Sequence, residues 1–239
     1  MKKLFLSPLF AGLFVVFCMV LYYALSYAFR LKYGAFDIEK IGVTEVLTYL
    51  FYAIAGGVLL YLHKDFLHTP KQNTYFALCF LWLVALLREM GIQHWLTQHD
   101  STAIKIRFFT NPNNPLHEKI ITATLVLLVV GVIAYLLIKY FKKMIVGFFK
   151  FQTIAWTIAT FGGLGIVTQL ADRFPANYVK STGEHLTEPV RFALKIFEEG
   201  GESLLPLIFA IGLWQFHFIL RKKASQIDDG SKDIVQGSV

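Results

Sequence analysis

The run Phe197-Glu198-Glu199-Gly200-Gly201-Glu202 gathers three carboxylates around two glycines. On a helix Glu198 and Glu202 share a face, and Glu199 lies one turn from Glu202. Charges packed that closely repel one another, and the repulsion is relieved by taking up a proton or a cation. Upstream, Arg191 and Lys195 continue the stripe, so a single helical face carries two cations and then two carboxylates. The glycines remove side chains at this point and admit a neighbouring helix or a ligand. The simpler reading is an acidic turn stabilised by the positive end of a helix. Residue types alone weigh the two readings equally.

A second ionic element is Arg88-Glu89, at the end of an apolar run that begins near Thr74. A helix started there carries Arg88 about 21 Å along its axis, deep for a charge in a hydrocarbon layer of roughly 30 Å. Such an arginine serves as a fixed cation for a carboxylate or an anionic headgroup. The competing readings are an arginine that snorkels from an ordinary helix end and a buried structural ion pair. Glu45, at the start of another apolar run, joins Arg88, Glu89, Glu198, Glu199 and Glu202 as a candidate for a ligand or ion pathway.

The segment from Glu89 to Lys119 contains His94, His99, Asp100, His117 and Glu118, enough ligands on paper for zinc. Glu89, His94 and His99 are five apart, which turns each about 140° from the last on a helix. No HxxxH, HExxH or EF-hand pattern is present. The expectation is therefore no metal site, with His94, His99 and His117 as the weak alternative, and the cofactor is left open. Within the same segment, Ile104-Lys105-Ile106-Arg107-Phe108 alternates apolar and basic residues. That pattern fits an interfacial segment turning Lys105 and Arg107 toward lipid headgroups, although a plain loop with aromatic anchors is the simpler account.

These residues are carried by a chain of 239 residues that is 56% hydrophobic, 16% charged and of mean hydropathy +0.54. A soluble domain carries roughly 25% charged residues. Here the charge is absent from long blocks and concentrated between them, as a bilayer requires of helices of about 20 apolar residues. The expected class is all-α, a polytopic transmembrane bundle of about six spans. They run from about Pro8 to Phe29, Glu45 to Leu62, Thr74 to Met90 (with a continuation toward Leu96), Ile120 to Ile138, Thr153 to Ala171 and Glu202 to Leu220. Pro189 starts the last helix ahead of its apolar part, and Asn114-Pro115 supplies a cap and first turn for the fourth. The first run is too long for a signal peptide core, so a retained helix is expected despite Ser26-Tyr27-Ala28 as a cleavage-like site. Residues 1–223 form the membrane domain, and 224–239 form a polar tail expected to be disordered and cytoplasmic.

Glycine pairs at Gly56-Gly57 and Gly162-Gly163 are expected to serve helix packing, and Gln169 to hydrogen-bond between helices. Cys18 and Cys79 read as small buried hydrophobes. The net charge of +7 sits beside apolar blocks and does not form one face, so nucleic acid is not the expected partner. Lys139/Lys142/Lys143/Lys150 and Arg221/Lys222/Lys223 abut span ends, which places both termini in the cytoplasm of an inner-membrane protein. That orientation gathers most acidic residues on the outer side.

Three function classes follow. The first is an outward-facing ionic site for proton, cation or small-ligand binding or transport. The second is a membrane-embedded enzyme acting on lipid at the outer leaflet, which lacks any recognisable nucleophile or ligand spacing. The third is a non-catalytic subunit or assembly factor. Membrane lipids are the expected partners, along with a second copy or another membrane protein. The slight preference is for binding or transport.

Overall fold

Why the long apolar blocks become helices follows from the cost of leaving a peptide group unpaired in hydrocarbon, which only an internally bonded segment avoids. The computed structural model describes residues 2–33, 43–67, 69–92, 106–112 and 114–236, with the backbone alone at 2, 29, 32, 33, 43, 106, 107 and 223–236. Helix is the only regular structure among them. We number the helices α1 (Lys2–Phe5), α2 (Phe10–Tyr33), α3 (Val43–Phe66), α4 (Gln72–Glu89), α5 (Ile106–Thr110), α6 (Leu116–Phe149), α7 (Thr153–Thr182) and α8 (Glu188–Gln236).

The all-α class is as the composition requires. Five helices (α2, α3, α6, α7 and α8) are long and apolar enough to cross a membrane by length and composition. The expected third span is helix α4, but its eighteen residues start with Gln72 and Asn73 and end with Arg88 and Glu89. Its apolar stretch is therefore shorter than the others. The observed helices also outrun the apolar blocks. Helix α6 has 34 residues, about 51 Å at 1.5 Å per residue and longer than a hydrocarbon layer of about 30 Å, and it carries Lys139, Lys142 and Lys143 in its second half. Helix α7 continues past Ala171 and through Pro175 to a left-handed Gly183 (φ 74°), whose N–H closes on the Val179 carbonyl at 2.9 Å. Its end is thus set by a glycine cap and not by the loss of hydropathy. The backbone of α8 runs to Gln236, where the sequence reading expects a tail without regular structure.

The chain divides into two units, residues 1–62 with 145–239, and residues 63–144. In the first, α7 packs along α8, and α2 lies against both. Val15, Leu164, Leu204 and Ile208 form the core, with Met19 and Phe51 packed on it. Lipid is as apolar as leucine, so such a core is held by close packing more than by exclusion of water. A polar clamp ties its other end: Thr157 donates to Gln215 Oε1 at 2.6 Å, and Gln215 Nε2 donates to the Phe5 carbonyl at 2.9 Å. Gln215 is fully buried, and each of its contacts satisfies a group that hydrocarbon would penalise. His217 is 4% exposed and packed with the rings of Tyr61 and Trp214. The turn from α6 to α7 is tight, with Phe151 left-handed (φ 51°) and Gln152 N–H bonded to the Gly147 carbonyl at 2.8 Å.

In the second unit, Thr74 joins α4 to α6 through a 2.8 Å hydrogen bond with the Tyr140 hydroxyl. Phe108 of α5 is fully buried. Asn114, expected to cap α6, reaches backwards instead: its Nδ2 donates to the Phe108 carbonyl at 2.8 Å and ties α5 to the entry of α6.

Candidate functional site

Helix α8 presents Glu198, Glu199 and Glu202 within little more than one turn, all half-buried. What brings a neighbour to them is the glycine pair. A Cβ at Gly201 would lie 2.3 Å from Thr168 Cγ2 and 3.3 Å from Leu164 Cδ1, both on α7. A Cβ at Gly200 would lie 2.6 Å from the Tyr22 ring of α2. The space that the glycines open beside the carboxylates is therefore filled by α2 and α7, as the helix-approach reading expects. Gly57, Gly162 and Gly163 behave differently, since a Cβ on any of them would meet nothing within 4 Å among the described residues. Packing does not explain those three.

Close approach of α7 lays its outer polar residues along the acidic turns. Gln169 Nε2 donates to Glu202 Oε1 at 3.0 Å, the interhelical bond that its position suggests. One turn further on, the exposed Asp172 is near enough to Glu198 for its charge to act on that carboxylate. Glu199 and Glu202 add their charges around Glu198, so four carboxylates share one helix–helix contact. Two unit charges 4 Å apart interact by roughly 4 kcal/mol at an effective dielectric of about 20. Such a group therefore gains from any cation that enters it. Lys195 supplies part of this: its Nζ stands 3.9 Å from Glu199 Oε1, one turn along the same helix. The pairing runs along the helix to Glu199.

The flanks of the cluster are hydroxyls and one ion pair. The Tyr22 hydroxyl and Thr44 Oγ1 are 3.0 Å apart, linking α2 to the first turn of α3, and Thr48 bonds the Thr44 carbonyl at 2.8 Å. Arg30, near the end of α2, pairs with Glu188 at the start of α8 and lies 4.7 Å from the centre of the Phe192 ring.

The remaining candidates fall elsewhere. Glu45 is exposed in the first turn of α3, where its neighbour Thr44 makes the contact with α2. Arg88 and Glu89 are exposed in the last turn of α4 and belong to the second unit, whereas the carboxylate cluster belongs to the first. His117 is exposed in the first turn of α6. His94, His99 and Lys105 lie outside the described residues, as does the side chain of Arg107, whose backbone is in α5. Among the described residues no group of three His, Cys, Asp or Glu side chains could hold a metal ion.

Sequence reasoning missed Asp172 as the partner of Glu198, and it missed Arg30 and Tyr22 altogether. The signal for Asp172 was its place three residues after Gln169, on the same face of α7. No family model matches the chain, and neither a curated protein nor a solved structure matches it.

Proposed function

We propose that this chain is a multi-pass protein of a cell membrane that binds a proton at Glu198, with Glu199, Glu202 and Asp172 beside it. The observation that carries the reading is the crowding of Glu198, Glu199 and Glu202 on α8 where α7 approaches closest, with Gln169 bonded to Glu202 and the charge of Asp172 added from α7. A purely structural contact gains nothing from like charges gathered there. A proton taken up among them relieves that repulsion.

The depth of the site favours binding from one side over conduction. Glu202 and Arg221 are nineteen residues apart on α8, about 29 Å along the axis and nearly the thickness of the hydrocarbon layer. With the lysine- and arginine-rich span ends in the cytoplasm of an inner membrane, the carboxylates stand at the outer boundary, within reach of water. Toward the other end of the bundle, the buried polar side chains of Thr157 and Gln215 are engaged with each other and with the Phe5 carbonyl. Those bonds fasten helices together. Arg88 and Glu89 take no part in this reading. A membrane enzyme would need a nucleophile or metal set, and no residue pattern supplies one.

The test is infrared spectroscopy of the purified chain in detergent at neutral pH, where a protonated-carboxyl band should be present and should be lost in the Glu198→Gln/Glu202→Gln variant. Glutamine at 202 keeps a carbonyl oxygen for Gln169, so the variant removes charge while preserving the interhelical bond. Absence of the band, or a band that persists unchanged in the variant, would overturn the proposal.

A further inference from the structure

Between α4 and α6, an open groove of about 480 Å³ is lined by Phe76, Ala77, Phe80, Leu127, Gly131 and Tyr135, among others. Leu127 and Tyr135 are eight residues apart on α6, so the groove runs about 12 Å along that helix. A Cβ at Gly131, midway, would meet nothing within 4 Å among the described residues, so the channel is open at its centre.

One end of this apolar trough is charged. Lys139 Nζ donates to the Tyr135 hydroxyl at 2.7 Å and to Thr74 Oγ1 at 3.0 Å. Thr74 is itself fixed by the Tyr140 hydroxyl at 2.8 Å. Both partners of the ammonium are neutral oxygens, and the Tyr140 ring centre lies 5.6 Å from it. Lys143, one turn on, stands 5.9 Å from the centre of the Tyr140 ring. Among the described residues neither lysine has a carboxylate partner. The ammonium of Lys139 is thus positioned by hydroxyls but not neutralised.

We propose that the groove holds an acyl chain of an anionic membrane phospholipid whose phosphate is bound by Lys139, with Lys143 beside it. The occupant must be apolar along 12 Å and negative at the Tyr135 end. A docked transmembrane helix would fill the trough but leave the lysines without a counter-charge. A zwitterionic lipid would bring its own cation to the same place. An anionic phospholipid meets both requirements, with its phosphate at the depth where lysines meet headgroups.

The experiment reconstitutes the full chain into nanodiscs of phosphatidylcholine with phosphatidylglycerol and counts retained lipids by native mass spectrometry. One phosphatidylglycerol per chain should be retained over phosphatidylcholine. Lys139→Gln should weaken that retention by about fivefold, since a basic residue near an anionic surface contributes on that scale. Gly131→Phe, which fills the middle of the groove, should abolish it. If Lys139→Gln fails to fold through loss of its Thr74 contact, Lys143→Gln leaves that contact intact and should shift retention in the same direction. Equal retention of the two lipids, or no change in any of these variants, would overturn the proposal. So would displacement of the lipid by glycerol 3-phosphate alone, which would mark a phosphate site without a chain. A second copy of the protein in the groove, seen as a dimer abolished by Gly131→Phe, would also overturn it.

Discussion

Replacing Gly201 by alanine isolates the contact on which the carboxylate cluster depends. The new Cβ would stand 2.3 Å from Thr168 Cγ2, well inside contact distance, so α7 and α8 must part or Thr168 must move. Over-packing of a close contact costs about 1–3 kcal/mol. Against this, alanine gains about 0.5–1 kcal/mol over glycine in a helix interior. Gly163→Ala supplies that gain without the clash, because its Cβ faces open space among the described residues. The difference in unfolding free energy between the two variants, measured by denaturant titration in detergent, should therefore fall at about 1–3 kcal/mol. Thr168→Ser removes Cγ2 but keeps the hydroxyl that bonds the Gly165 carbonyl at 3.1 Å. Combined with Gly201→Ala it should recover most of the loss, giving a clear coupling term in a double-mutant cycle. Equal stability of Gly201→Ala and Gly163→Ala, or strict additivity with Thr168→Ser, would refute the close-packed contact.

Two further outcomes are expected. Gln215→Leu leaves the Phe5 carbonyl without its partner, while the Thr157 hydroxyl keeps the Thr153 carbonyl at 3.1 Å, so the cost in the same titration should be about 1–3 kcal/mol. Thr157→Val in addition should cost less than the sum of the single changes. Arg30→Gln should change stability by less than about 1 kcal/mol and lose even that effect in high salt, because Glu188 is largely exposed.

Much of the architecture was legible because hydrocarbon permits so few solutions. An apolar block of twenty residues can only be a helix, and four spans proposed from such blocks (those starting near Pro8, Glu45, Ile120 and Thr153) match α2, α3, α6 and α7 in place. Helix ends were less legible. Gly183 and the backward reach of Asn114 set boundaries through local hydrogen bonds, to which hydropathy is blind. The acidic turn was visible as a spacing, and Gly200-Gly201 as a place of close approach. Which helix approached was not, because the partner is chosen by packing across distant parts of the chain. Asp172 therefore looked like an ordinary span-end acid until α7 was laid along α8. The same blindness applies to Lys139, which reads as a span-end lysine until Thr74 and Tyr135 are seen to hold it.

Infrared spectroscopy of the purified chain in detergent, with the carboxyl bands followed across a pH titration, tests the proposed proton site most directly. A protonated-carboxyl band present at neutral pH and lost in Glu198→Gln/Glu202→Gln is the expected result. Absence of such a band, or a band indifferent to those two substitutions, would contradict it.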